Sequence, residues 1–165
     1  MLQEDTHLSA EYQLSAVKPP RPGELPTAVQ LLGVFQGLRF RDHELYRTAR
    51  CLVNLHICRN SGTGHARLAD LDRRRAELMD EIDEWSIRQL PIHRNEPVIR
   101  PESLGRVIDR LADAWARANR DSVAAPTSRR TTQMNWLRLA ELVGGYNNLL
   151  ADVRTVQDRL PSLAS

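Results

Sequence analysis

Lysine is nearly missing from this chain. Of its 23 basic residues only Lys18 is a lysine, and it lies in a proline-rich stretch. A Schiff-base lysine, a P-loop lysine and a kinase-type lysine each need an ammonium on a folded element, so pyridoxal-phosphate and ATP chemistry by those routes drop out. Aromatic residues are only 5%, and the apolar positions are mostly Leu, Ala and Val, which suits a helical protein better than a β-sandwich. No apolar run approaches the roughly 18–20 residues of a membrane span. The opening "MLQEDTHLSAEYQLS" lacks the basic region and apolar core of a secretion signal, so a cytoplasmic protein is expected. Cysteine is scarce as well. Cys51 and Cys58 sit on one expected helix about 10 Å apart, too far for a disulfide, and are read as reduced, semi-buried small residues. The net charge of +2 argues against a nucleic-acid partner. The five histidines (His7, His43, His56, His65, His93) show no HxxxH or Glu-x-x-His spacing, and GxGxxG, GxSxG and CxxC are missing, so no metal or other cofactor is expected.

What is present reads as helix. Residues 1–25 form a tail, disordered or extended, because "VKPPRPGELP" places four prolines between residues 18 and 26. Residues 26–165 form one helical domain. Apolar spacing predicts a first helix from Thr27 to Asn60, with a break or kink near Gly33 and Gly37, stopped by "NSGTGH". A second helix is expected over 66–87. After the loop "RQLPIHRNEPVIRP" a third opens at Pro101 and runs to about Asn119, and a fourth follows "DSVAAPTS", from Arg130 to Leu160. "GGY" at 144–146 falls inside that pattern and is read as a kink or a close-packing point. The expected fold is all-α, an up-and-down four-helix bundle.

The inward faces carry polar groups. At about 100° per residue, Arg75 falls near the centre of the arc Leu68, Leu71, Leu78, Met79, Ile82 and Trp85. On the first helix His56 lies inside the apolar arc, with Arg41 and Asp42 towards its edges. On the fourth, Tyr146 is central, with Asn135 and Gln157 also inside. The third buries Leu104, Ile108, Leu111 and Trp115. Its second row of small residues (Gly105, Ala112, Ala116) invites a close neighbour, and Asp109 borders that row. A buried unpaired guanidinium costs several kcal/mol, so Arg75 needs an acceptor, and Asp42, Asp72 and Asp109 are the nearest acids. The expectation is a polar cluster of His56, Arg75, Tyr146 and Asp109 lining an interhelical pocket. Arg41, Asp42, Arg74, Asn135 and Trp115 are the further ligand contacts. Blander readings stand beside it. Arg75 would snorkel to the end of the bundle or a dimer seam, Tyr146 and His56 would be hydrogen-bonded core residues, and Asp109 would pair with Arg106 on the surface.

Residues 102–111, "ESLGRVIDRL", resemble the pattern E-[ST]-x-G-x-x-I-D-R-L of a group of small helical bacterial proteins, the family of domain of unknown function 4254. The second helix resembles that family's other signature, I-D-x-L-N-x-R-R-N-D-L-[IV]-E-x-I-D, in its arginine pair Arg74 and Arg75 and its closing Ile82 and Asp83. Ala69 replaces the first Asp, and Asp72 and Ala76 replace the two Asn. Where the family carries an acidic L-W-x-x-E-D stretch, this chain has "LHICRN", residues 55–60. The resemblance implies an all-α fold and marks Arg74, Arg75, Asp109 and Arg110. It also implies accessory proteins of glycan or specialised-metabolite pathways. "DLDRRRAELMDEIDE" further resembles the Arg- and Asp-rich texture of all-helical chorismate mutases, whose usual lysine has no counterpart here.

Two functions are therefore expected. The first is binding of a small organic molecule, or a cofactor-free isomerase, cyclase or lyase reaction. In that reaction His56 is acid or base, Arg75 holds a carboxylate, Tyr146 donates a hydrogen bond and Asp109 orients them. The alternative is a non-catalytic scaffold docking on a partner enzyme. A homodimer is expected, because the Ala- and Leu-rich faces exceed what one small bundle buries.

Overall fold

Thr27 opens the first helix with a capping box. Its hydroxyl accepts from the Gln30 backbone N–H at 3.2 Å, and the Gln30 side-chain oxygen accepts from the Thr27 N–H at 2.7 Å. The computed structural model describes residues 16–62, 64–90, 102–123 (backbone alone at 121–123) and 128–159. Residues 1–15 of the expected tail, the loop segment 91–101 with Pro101, and residues 124–127 and 160–165 lie outside the described residues. So do His7 and His93.

The described residues form five α-helices: α1 (Ala28–Gln36), α2 (Glu44–Asn60), α3 (His65–Gln89), α4 (Leu104–Val123) and α5 (Arg129–Arg159). The stretch expected as one helix from Thr27 to Asn60 is two. Gly37 takes φ 94°, a left-handed conformation that side-chain-bearing residues resist, and its N–H and that of Leu38 close α1 onto the carbonyls of Val34 and Gly33. Arg50 on α2 reaches back over the break. It donates to the carbonyls of Val34 at 2.7 Å and Leu38 at 2.5 Å, with its guanidinium 4.9 Å from the Phe40 ring centre. Because the chain turns here, Leu38, Arg41 and Asp42 sit on the exposed linker rather than on an inward helical face.

All-α is the fold, and α4 is its hub. It packs against α1, α2, α3 and α5, whereas among the described helices α5 packs against α4 and α1 alone. The expected ring of four long helices therefore does not close between α5 and the first long helix. The folded-back α1 takes that position, with its Leu31, Val34 and Phe35 buried. Residues 16–26, non-helical with a tight turn at Pro22 and Gly23, are strapped to the helices. Val17 bridges Phe40 and donates to the Arg39 carbonyl at 2.7 Å. Tyr46 donates to the Lys18 carbonyl at 2.8 Å, and Gln157 to the Gly23 carbonyl at 2.7 Å. The prolines keep this segment out of a helix, but its buried Val17 and Leu25 belong to the core.

Two smaller expectations are corrected. α5 runs through Gly144 and Gly145 without a break, and a Cβ built on either meets nothing within 4 Å, so the pair is not a close-packing point. Cys51 and Cys58 are not joined in a disulfide and are exposed rather than semi-buried. Among the described residues no helix is long and apolar enough to cross a membrane.

The α3–α4 crossing positions the site. A Cβ on Gly105 would lie 2.4 Å from the Met79 backbone oxygen, so only glycine lets the two backbones approach this closely. Asp83 of α3 accepts from the Gly105 N–H at 2.7 Å, satisfying a first-turn amide of α4 from outside the helix.

Candidate functional site

The guanidinium of Arg75 meets the carboxylate of Asp109 in a fork. Nε donates to Oδ1 at 2.9 Å and Nη2 to Oδ2 at 2.5 Å. His56 Nε2 lies 2.8 Å from the same Oδ1. Three helices thus join through one carboxylate: α2 brings His56, α3 Arg75 and α4 Asp109. Asp109 is 2% exposed and His56 2%, while the Arg75 side chain keeps a third of its surface in water. Burial by itself would raise the Asp109 carboxyl. The hydrogen bonds from Arg75 and His56, with their charge, outweigh burial and hold it down to about 2. Asp109 is therefore ionised and can only accept, so the His56 proton sits on Nε2 and donates to it.

That leaves His56 Nδ1. It is buried without a hydrogen-bond partner, and Asp113 Oδ1, one turn along α4 from Asp109, stands 3.5 Å away. Asp113 is held from its other side by Arg117, whose Nε donates at 3.1 and 3.0 Å. Arg75, Asp109, His56, Asp113 and Arg117 thus stand in succession, with a gap of 3.5 Å between His56 Nδ1 and Asp113.

The lowered Asp109 value sets an acid response. Its contribution is present above the ordinary carboxyl value of 3.8 and is lost as pH falls through about 2. That loss amounts to about 2 kcal/mol. Urea unfolding at pH 5 and pH 2 is expected to show this step in the native chain and a flatter response in Asp109→Asn. Equal acid responses would mean that the carboxylate is not held by these partners.

The remaining expected residues scatter. Tyr146 is fully buried on α5, but its hydroxyl donates to the Pro26 carbonyl at 2.7 Å, and burial with the nearby Tyr46 pushes its phenol upward. It fastens the strap and does not join the cluster. Asp42 pairs with Arg47 on the surface, and Arg41 is exposed. Arg74, one residue from Arg75 and so turned by about 100°, pairs with Glu77 at 2.9 Å and Glu81 at 3.2 Å in solvent. Asp109 does not pair with Arg106, because its carboxylate is taken by Arg75 and His56.

Asn135 and Trp115 line two different clefts on different sides of α4. The larger, about 610 Å³, lies between the end of α2 and the second half of α4. Its mostly apolar wall includes Ile57, Asn60, Ser61, Trp115, Ala116 and Arg120. Trp115 is half-buried, with Phe35 of α1 at 6.4 Å between ring centres. Asn60 Nδ2 is buried in this region without a hydrogen-bond partner. The smaller cleft, about 310 Å³, lies in the α4–α5 seam and is lined by Arg110, Asp113, Arg117, Asn135, Arg138 and Leu142. Sequence reading missed Asn60, Asp113, Arg117 and Arg138. Asp113 had a signal, since it follows Asp109 by four residues and shares its helical face. The others had none, because each is a polar residue at a position that looks solvated.

Among the described residues no three His, Cys, Asp or Glu side chains assemble as a metal-ligand set. Both Asp109 oxygens are already committed to donors.

Ser103 caps α4 by accepting from the Arg106 N–H at 3.3 Å, and Glu102 holds Arg110 at 2.8 Å. Gly105 permits the crossing, Ile108 and Leu111 are core, and Asp109 receives Arg75. A model of the family described as "Protein of unknown function (DUF4254)" matches residues 63–161. The match covers α3, α4 and α5, with Arg75 and Asp109, and leaves α2 and His56 outside it. No curated protein and no solved structure matches this chain.

Proposed function

This chain belongs to the DUF4254 family of proteins of unknown function, and we propose that it binds a small organic molecule in the cleft between the end of α2 and the second half of α4. The observation that carries this reading is the cleft itself, whose wall brings Asn60 together with Trp115 and Arg120. The cleft's volume of about 610 Å³ falls in the range of ligand sites, and its composition, a mostly apolar wall with few polar groups, is theirs too. Trp115 offers a flat apolar surface and Arg120 a positive charge. The ligand class that fits is a flat, largely apolar molecule bearing a carbonyl or acid group, in keeping with the metabolic setting that the family resemblance implies. The His56–Asp109–Arg75 chain fixes the helices that form the walls. A cofactor-free isomerase, cyclase or lyase step would need His56 Nδ1 to reach the substrate. That atom is enclosed and His56 does not line the cleft, which favours binding without chemistry there.

The test is native mass spectrometry of the chain purified from its own host, before and after denaturation. The native protein is expected to release a molecule of low mass. Ser61→Trp, which fills the cleft from an exposed position, and Asn60→Leu, which removes the donor, are expected to release little or none. An empty native protein, or equal release from all three, would overturn the reading.

A second reading rests on α5, which exposes Met134 (59%), Trp136 (43%) and Leu137 (53%) close together in sequence. Such a patch favours a docking role on a partner enzyme or a second copy of the chain. In the same experiment it predicts a co-purifying protein that Trp136→Ser loses.

A further inference from the structure

The α4–α5 cleft has a lining unlike the rest of the surface. Arg110 and Arg117 from α4 and Arg138 from α5 line it with Asn135, and Asp113 is the one acid in its wall among the described residues. Each arginine is matched at present by a partly exposed carboxylate. Arg110 has Glu102, Arg117 has Asp113, and Arg138 has Glu141 only at 3.5 Å, with both groups more than half in solvent. Surface pairs of this kind contribute little and exchange readily. Three guanidinium groups around about 310 Å³ present a set of forked donors suited to an oxyanion with three free oxygens. The cleft also reaches the buried cluster through Asp113, whose Oδ1 stands 3.5 Å from the unpartnered Nδ1 of His56.

From this we infer that the seam between α4 and α5 is a second binding site, taking a phosphate monoester or inorganic phosphate, and that its occupancy is transmitted to His56 through Asp113. The anion draws Arg117 off Asp113. The released carboxylate is then free to move against His56 at Nδ1 and change the imidazole's surroundings, while Nε2 continues to donate to Asp109. The groups facing the imidazole are then Asp109 and Asp113 of α4, with Arg75 of α3 bound behind Asp109. No bond to phosphorus is made or broken. The site is separate from the larger cleft, and its test does not depend on that cleft having a ligand.

The experiment is titration of the full chain with inorganic phosphate, and in parallel with acetate, followed by NMR of the arginine Nε–H and histidine ring signals. Saturable phosphate binding is expected, with acetate much weaker because it offers only two oxygens. Arg138→Gln, at an exposed position outside the core, is expected to weaken phosphate binding about tenfold through loss of one charge-assisted hydrogen bond, and Arg138→Glu to abolish it. Both variants should keep the native amide spectrum. The His56 signals should move with phosphate in the native chain and stay fixed in Asp113→Asn, which can still bind the anion. Binding that Arg138→Glu leaves intact would place the anion elsewhere and overturn the site, as would the lack of saturable binding. Phosphate binding that leaves His56 unmoved in the native chain would overturn the link.

Discussion

Asp109→Ala is expected to lower the unfolding free energy by about 3–5 kcal/mol, the loss seen when one partner of a buried ion pair is removed. The reason lies in what stays behind. His56 would keep a buried Nε2–H with no acceptor, and Arg75, two-thirds buried, would lose both arms of its fork. Domains of this size have only about 5–15 kcal/mol in total, so the variant should stand near the edge of folding. Asp109→Asn should cost less, because it keeps an oxygen acceptor in place and loses only the charge. Arg75→Met should also cost less, because His56 continues to occupy the carboxylate and water reaches the exposed third of the arginine site. Chemical denaturation of the three variants checks the order. An alanine variant within 1 kcal/mol of the native chain would show that the carboxylate does not join the three helices.

Gly105→Val is expected to act as severely by a different route. The added Cβ would stand 2.4 Å from the Met79 oxygen and 2.9 Å from its carbonyl carbon, atoms of the backbone that cannot rotate aside as a side-chain tip would. α3 and α4 must separate. Overpacking of this kind costs about 1–3 kcal/mol and sometimes more. The separation also pulls Asp83 from the Gly105 amide and Arg75 from Asp109. Gly105→Ala should already be destabilising despite alanine's better helix propensity. Gly144→Ala and Gly145→Ala on α5 are the internal control. With nothing within 4 Å of either Cβ, each should gain about 1 kcal/mol in helix propensity. Thermal unfolding of the three alanine variants separates the cases. A neutral Gly105→Ala would mean that the crossing is looser than the described distance.

Arg75 shows how far a sequence pattern reaches into a site. An always-charged group in the middle of an apolar arc demands a buried acid, so the sequence narrows its partner to Asp42, Asp72 or Asp109, and the fold selects Asp109. His56 was legible for the same reason. Tyr146 carried the same pattern and led to a wrong neighbourhood, because a polar tip on an apolar stripe declares only that it needs a partner. Here the partner is the Pro26 carbonyl, far away in sequence. Arg41 and Asp42 were misplaced by a single torsion, since the left-handed turn at Gly37 ends the periodicity on which their placement depended.

The residues by themselves determined an all-helical chain, the approximate extents of its three later helices, the close-packing stripe at Gly105 and the need of Arg75 for an acid. These follow from local periodicity and from the high cost of an unpaired buried charge, which act whatever the helices' arrangement. Only the tertiary structure decided which side chains share a cavity: Asn60 with Trp115, Asp113 with three arginines, and Tyr146 with the strap. Periodicity fixes the angle of a side chain around its own helix. The order in which helices pack, and hence what each side chain faces, depends on contacts between residues distant in the chain, which no local pattern encodes.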